Sequence, residues 1–86
     1  MNNLLYISSV QAYDEIGEEE VIYTATPIIA GKLSKHHVCV FEFRELLNEF
    51  VALYFLNPPL ALSWYYEQEE ELSLAALTAR DEYMVS

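Results

Sequence analysis

Basic residues are scarce in this chain: Lys32, Lys35, Arg44 and Arg80 stand against 14 carboxylates, leaving a formal charge of −10. A surface of that sign repels nucleic-acid phosphates and anionic headgroups alike, so neither direct nucleic-acid binding nor membrane docking is expected. Cysteine is represented by Cys39 alone. No internal disulfide can form, and a secreted, staple-dependent mini-protein is not expected. Glycine occurs only at positions 17 and 31, in neither the G-x-x-x-x-G-K-[ST] nor the G-x-G-x-x-G pattern, so no phosphate-cradling loop is expected. The longest uninterrupted apolar run, Phe50–Leu56, has 7 residues, far short of the ~20 that span a bilayer. Met1-Asn2-Asn3-Leu4 carries no basic stretch of the kind that opens a signal peptide.

What is present is apolar and aromatic. A hydrophobic fraction of 53% with 14% aromatics separates the chain from disordered acidic tails, which are poor in both. Its 86 residues fit one small acidic domain, 1–86, with a thin core. Residues 3–10 and 21–26 are β-branched and aromatic enough to read as strands. Tyr13–Glu20 between them reads as a polar connection long enough for one helical turn. Pro27 removes a ladder donor, so the second strand is expected to lie at an edge or end there. Ile28 and Ile29 extend it before Gly31-Lys32 turns the chain, and His36–Phe41 reads as a third strand.

From Glu42 to Leu56 the residues Leu46, Leu47, Phe50, Val51 and Tyr54 recur at helical spacing, one face of an α-helix. Asn57-Pro58-Pro59 stops it. Beyond, Leu60, Leu62, Trp64 and Tyr66 alternate with Ala61, Ser63 and Tyr65, which reads as a strand, with a short helix from Pro58 as the alternative. Glu69–Tyr83, with Leu72, Ala75, Ala76 and Ala79 as its apolar face, reads as a second, C-terminal helix. The expected class is α+β: a small antiparallel sheet of three to four strands packed on a central amphipathic helix.

The carboxylates fall in three groups. Glu42, Glu45 and Glu49 sit at i, i+3 and i+7 of the central helix, within a stripe ~60° wide and rising about 4.5 Å and then about 6 Å. That is the scale on which a DNA strand presents phosphates, ~3.4 Å of rise per charge. Glu18, Glu19 and Glu20 form a run, and Glu67, Glu69, Glu70 and Glu71 form another. A solvated face explains any one cluster equally well. Their sum exceeds the charge of about 2–8 that keeps a small domain soluble, and repulsion among them costs stability. A cationic partner relieves that repulsion.

Other chemistry is weaker. On a strand only His37 and Cys39 of the His36-His37-Val38-Cys39 segment would share a face, with no second pair at ligand spacing, so no metal is expected. Consecutive solvated glutamates do not provide the contrasting environments of a general acid and base, and nothing electropositive would activate Cys39. No catalytic residue and no cofactor is expected. Tyr65, set opposite Leu62, Trp64 and Tyr66 on a strand, is the expected exposed anchor. Leu53 and Leu56 fall on the glutamate side of the helix, as contacts for a second copy or for a loop.

In size, acidity and lack of catalytic motif the chain resembles phage-encoded anti-CRISPR, anti-restriction and glycosylase-inhibitor proteins, a resemblance of class and composition with no shared residue motif. It implies an inhibitor, encoded by a phage or mobile element and acting in the host cytoplasm. Its partner would be a basic protein, a nucleic-acid-binding protein or nuclease. The partner-binding residues would be the ten glutamates above and Tyr65. An antitoxin or immunity protein would share these electrostatics, and a homodimeric interaction module is the third reading.

Overall fold

The computed structural model describes residues 4–85. Two strands dominate it: β1, Leu4–Tyr13, and β2, Glu19–Ile29, pair antiparallel residue for residue from Leu4↔Ile28 to Tyr13↔Glu19. Asn3, expected in the first strand, lies outside the described residues. The expected helical turn between the strands is a tight turn instead. Gly17 N–H donates to the Asp14 carbonyl and Asp14 N–H to the Glu18 carbonyl, with Gly17 at φ +84°, a turn closed by a left-handed residue. The Asp14 carboxylate holds it, accepting from Ile16 N–H at 3.0 Å and Glu18 N–H at 2.8 Å. Glu19 and Glu20 therefore belong to the strand.

Pro27 neither ends β2 nor marks it as an edge. On its second side β2 pairs with two short strands, β3, Lys32–Leu33, at Ile28–Ile29 and β4, Cys39–Phe41, at Tyr23–Ala25. The Pro27 carbonyl faces that side, accepting from Ser34 N–H at 2.8 Å, so its missing donor falls in the gap between β3 and β4, where no strand would have used it. Ala30 (φ 53°) and Gly31 (φ 76°) make the β2–β3 turn. The expected third strand is shortened: Lys35–His37 forms a 3-10 turn, and only Cys39–Phe41 pairs.

The sheet is covered on both faces. Helix α1, Arg44–Leu56, and helix α2, Pro58–Gln68, pack on the side of Ala25, Cys39 and Phe41, burying Leu47, Phe50, Tyr54, Ala61 and Tyr65. Helix α3, Leu74–Val85, covers the other side, where Ile22 and Val40 meet Ala76 and Ala79. Small residues let α3 lie close on the sheet. Rings fill the first core, with Phe41 against Phe50 at 5.3 Å and edge-on to Tyr65 at 5.4 Å. The α+β class and the antiparallel sheet hold, and on the expected face of α1 Leu46 and Val51 are half-buried.

The region 60–66 follows the alternative, a helix from Pro58, rather than the strand: it is α2. Asn57 caps it, its side-chain oxygen accepting from Leu60 N–H, with Pro58 and Pro59 in the first turn. Proline there sacrifices no helical bond and presets φ. The buried residues Ala61 and Tyr65 are four apart, one face of a helix. The C-terminal helix is likewise split, a 3-10 turn at Glu69–Glu71 followed by α3. Ser73 caps α3, its hydroxyl accepting from Ala76 N–H.

Candidate acidic interaction surface

The three carboxylate groups have unequal surroundings. Glu42 precedes α1 rather than lying on it, so the expected three-residue stripe is reduced to Glu45 and Glu49. The half-buried Glu42 carboxylate accepts from Ser73 N–H, 2.5 Å away, at the first turn of α3, where the helix dipole favours negative charge. Glu69, also half-buried, is paired with Arg80. These two hold elements together. Glu20 is half-buried, while Glu18, Glu19, Glu45, Glu49, Glu67, Glu70 and Glu71 are exposed.

Tyr65 is the clearest reversal: it is 2% exposed. Its hydroxyl accepts from Val40 N–H at 3.3 Å, which occupies the outward donor of β4. Burial first of all pushes its phenol above the ordinary tyrosine range. Tyr66, beside it, is the exposed ring, and Phe43, Phe55 and Leu60 are exposed as well. Leu53 packs against the core, and Leu56 is 84% exposed.

Distant segments meet around the start of α3. Asp14 and Glu15 of the first turn line a cleft with Ser73, Leu74 and Ala75. Glu42, Phe43, Gln68 and Glu71 line a second, smaller one. Carboxylates from the hairpin turn, the α1 entry and the Glu69–Glu71 turn are thus gathered around the start of α3. This gathering could not be read from the sequence, because it depends on α3 crossing the sheet to bring Ser73 against Glu42.

A cleft of about 250 Å³ elsewhere collects His36, His37, Cys39, Tyr66, Arg80 and Asp81. His37 Nδ1 is 2.7 Å from Ser34 Oγ on the 3-10 turn, and Cys39 is 1% exposed. The turn leaves His37 exposed beside Ser34 and Cys39 buried, although both line the cleft. Burial, and secondarily Glu69, pushes the Cys39 thiol up to about 12, so it keeps its proton at neutral pH. Among the described residues no three His, Cys, Asp or Glu side chains are close enough to hold a metal ion, and no helix is long and apolar enough to cross a membrane.

The chain matches no known family model, curated protein or solved structure. The physical chemistry of its surface is what speaks to function.

Proposed function

We propose that this protein is a small acidic, non-catalytic inhibitor that occupies the basic nucleic-acid-binding surface of a target protein, in the manner of phage- or mobile-element-encoded anti-CRISPR and anti-restriction proteins. The observation that carries the reading is the gathering of carboxylates from three segments around the start of α3, in a chain with a net charge of −10. The dipole of α3 explains an acid at Glu42, and Arg80 explains Glu69. Neither explains the exposed Glu45, Glu49, Glu67, Glu70 and Glu71. Glu45 and Glu49, one helical turn apart, rise about 6 Å along α1, and they approach a cationic groove as a pair. Such a surface accelerates encounter with a basic groove and loses that advantage as salt rises. Exposed Phe43 and Tyr66 supply apolar contact that charge alone does not.

The test is displacement of labelled duplex DNA or guide RNA from a panel of bacterial defence nucleases and DNA-binding proteins. The chain should release nucleic acid from at least one of them, less effectively as salt rises from about 50 to about 300 mM. Reversal of Glu45 and Glu49 to Lys should weaken inhibition about tenfold or more, and reversal of Asp81 and Glu82 far less. A panel that keeps its nucleic acid, or an inhibition indifferent to salt and to both reversals, would reduce the acidic surface to a solubility device.

A further inference from the structure

We propose that the outer edge of β1 is a self-pairing surface, along which two copies of this chain join their sheets antiparallel about a two-fold axis at Ser9. Among the described residues β1 pairs only with β2. Its register runs without a bulge over 10 residues, and Leu4–Tyr13 contains no charge and no proline. Bulges, lysines and prolines are the devices that keep sheet edges from pairing, and this edge has none of them. In a chain of 86 residues with 18 charged side chains, the longest strand edge is the uncharged one.

The direction of its polar groups follows from the far side of the sheet. Val40 N–H points away from β2, to the Tyr65 hydroxyl, so Thr24 opposite it turns its own N–H and C=O toward β1. Ser8 faces Thr24 and bonds inward. Leu5, Ile7, Ser9, Gln11 and Tyr13 therefore present their N–H and C=O groups outward. Centring the two-fold axis on Ser9 sets Ser9 opposite Ser9, Ile7 opposite Gln11 and Leu5 opposite Tyr13, so all five outward residues find a partner of the right polarity. Tyr13, 65% exposed, then lies over Leu5, which packs on the main core.

The two-fold register selects a second copy as the occupant, and the charge pattern along β1 keeps the repulsion between copies small. The acidic turn at Asp14, Glu15 and Glu18 stands at one end of β1, and Lys32, two strands in from β1 and paired with Ile29, lies toward the other end of the sheet. Antiparallel pairing carries each acidic turn to the lysine end of the other copy. It holds the two turns about 33 Å apart, several Debye lengths at physiological salt. Glu82, which lines a cleft beside Gln11 and Tyr13, meets the uncharged Leu5–Ile7 stretch of the other copy. The seam is a single strand edge about 33 Å long, a smaller contact than the ~800 Å² per partner of a standard interface. The dimer is accordingly weak and concentration-dependent, and it does not depend on the inhibitor reading above.

Sedimentation equilibrium tests it. The mass should climb from 10.0 kDa toward twice that value as the protein approaches about 1 mM, and it should do so at lower concentration in high salt. Ser9→Pro removes an N–H that faces away from β2, and Ser9→Lys puts two ammonium groups on the axis. Each should weaken dimerisation about tenfold or more, with circular dichroism and melting of the dilute protein unchanged for Ser9→Lys. Ser9→Cys should oxidise to a covalent dimer while Ser63→Cys on α2 does not, and Cys39, being buried, stays out of the reaction. A wild-type chain that remains monomeric at high concentration and high salt overturns the proposal. So does a dimer that survives Ser9→Lys, or one that Ser9→Cys fails to cross-link.

Discussion

Thr24 and Cys39 lie one residue apart in the β2–β4 register and illustrate opposite fates of a buried polar atom. Thr26 donates its hydroxyl to Tyr83 Oη at 3.0 Å, whereas Thr24 Oγ1, fully buried, has no partner among the described residues. An unsatisfied hydroxyl costs about 1–3 kcal/mol. Thr24→Val keeps the shape and removes the cost, so it should raise the melting temperature, by ~4–8 °C per kcal/mol gained in a domain of this size; calorimetry reads this directly. Cys39 is satisfied as a thiol and penalised as a thiolate. Its folded value, pushed up to about 12 from an ordinary 9.0, lies above the unfolded one. The stability it contributes is whole below pH 9 and is lost as pH rises toward 12, at about 1.4 kcal/mol per pH unit. Tyr54 and Tyr65, both raised chiefly by burial, add to the loss above pH 10. Urea midpoints measured from pH 7 to pH 11 should fall beyond pH 9, and Cys39→Ala should flatten the first part of that fall.

Among the elements, α1 was legible and α2 was not. The apolar residues of α1 recur at three and four, and Leu47, Phe50 and Tyr54 are buried as that spacing requires. Phe50→Ala should cost about 3–5 kcal/mol, because Phe50 touches the rings of Phe41, Tyr54 and Tyr65 and has no solvent exposure. Denaturant titration would show the variant largely unfolded or shifted to a far lower midpoint. In α2 the large residues Leu60, Leu62, Trp64 and Tyr66 alternate, a period of two that reads as a strand. The helix buries Ala61 and Tyr65 instead and leaves Leu60 and Tyr66 exposed. The local signals that were right were Asn57, Pro58 and Pro59, a cap and two residues already set for a first turn.

At the scale of the molecule, the acidic residues divide into those the fold uses and those it only tolerates. Glu42 joins the α1 entry to α3, and Glu69 joins the 3-10 turn to α3 through Arg80. Glu45 and Glu49 are exposed and add to the repulsion of a net charge of −10. Single Glu→Gln changes should separate the groups in thermal melts. Those at positions 42 and 69 should lose about 1 kcal/mol, and those at 45 and 49 should be neutral or slightly stabilising as repulsion falls. Stability loss at 45 or 49 would mean that these carboxylates have partners within the fold.

Composition and periodicity by themselves determined the charge, the α+β class, the strands at both ends of the first hairpin and the buried face of α1. Each of these depends on residue type and spacing along the chain. Only the tertiary structure decided that α3 covers the second face of the sheet, that Tyr65 is buried against Val40, and that Glu42 and Glu69 bind within the fold. It also decided that Pro27 sits in a central strand. These outcomes depend on which segments meet: the Pro27 donor is dispensable only because β3 and β4 leave a gap beside it, and Glu42 finds Ser73 only because α3 returns across the sheet.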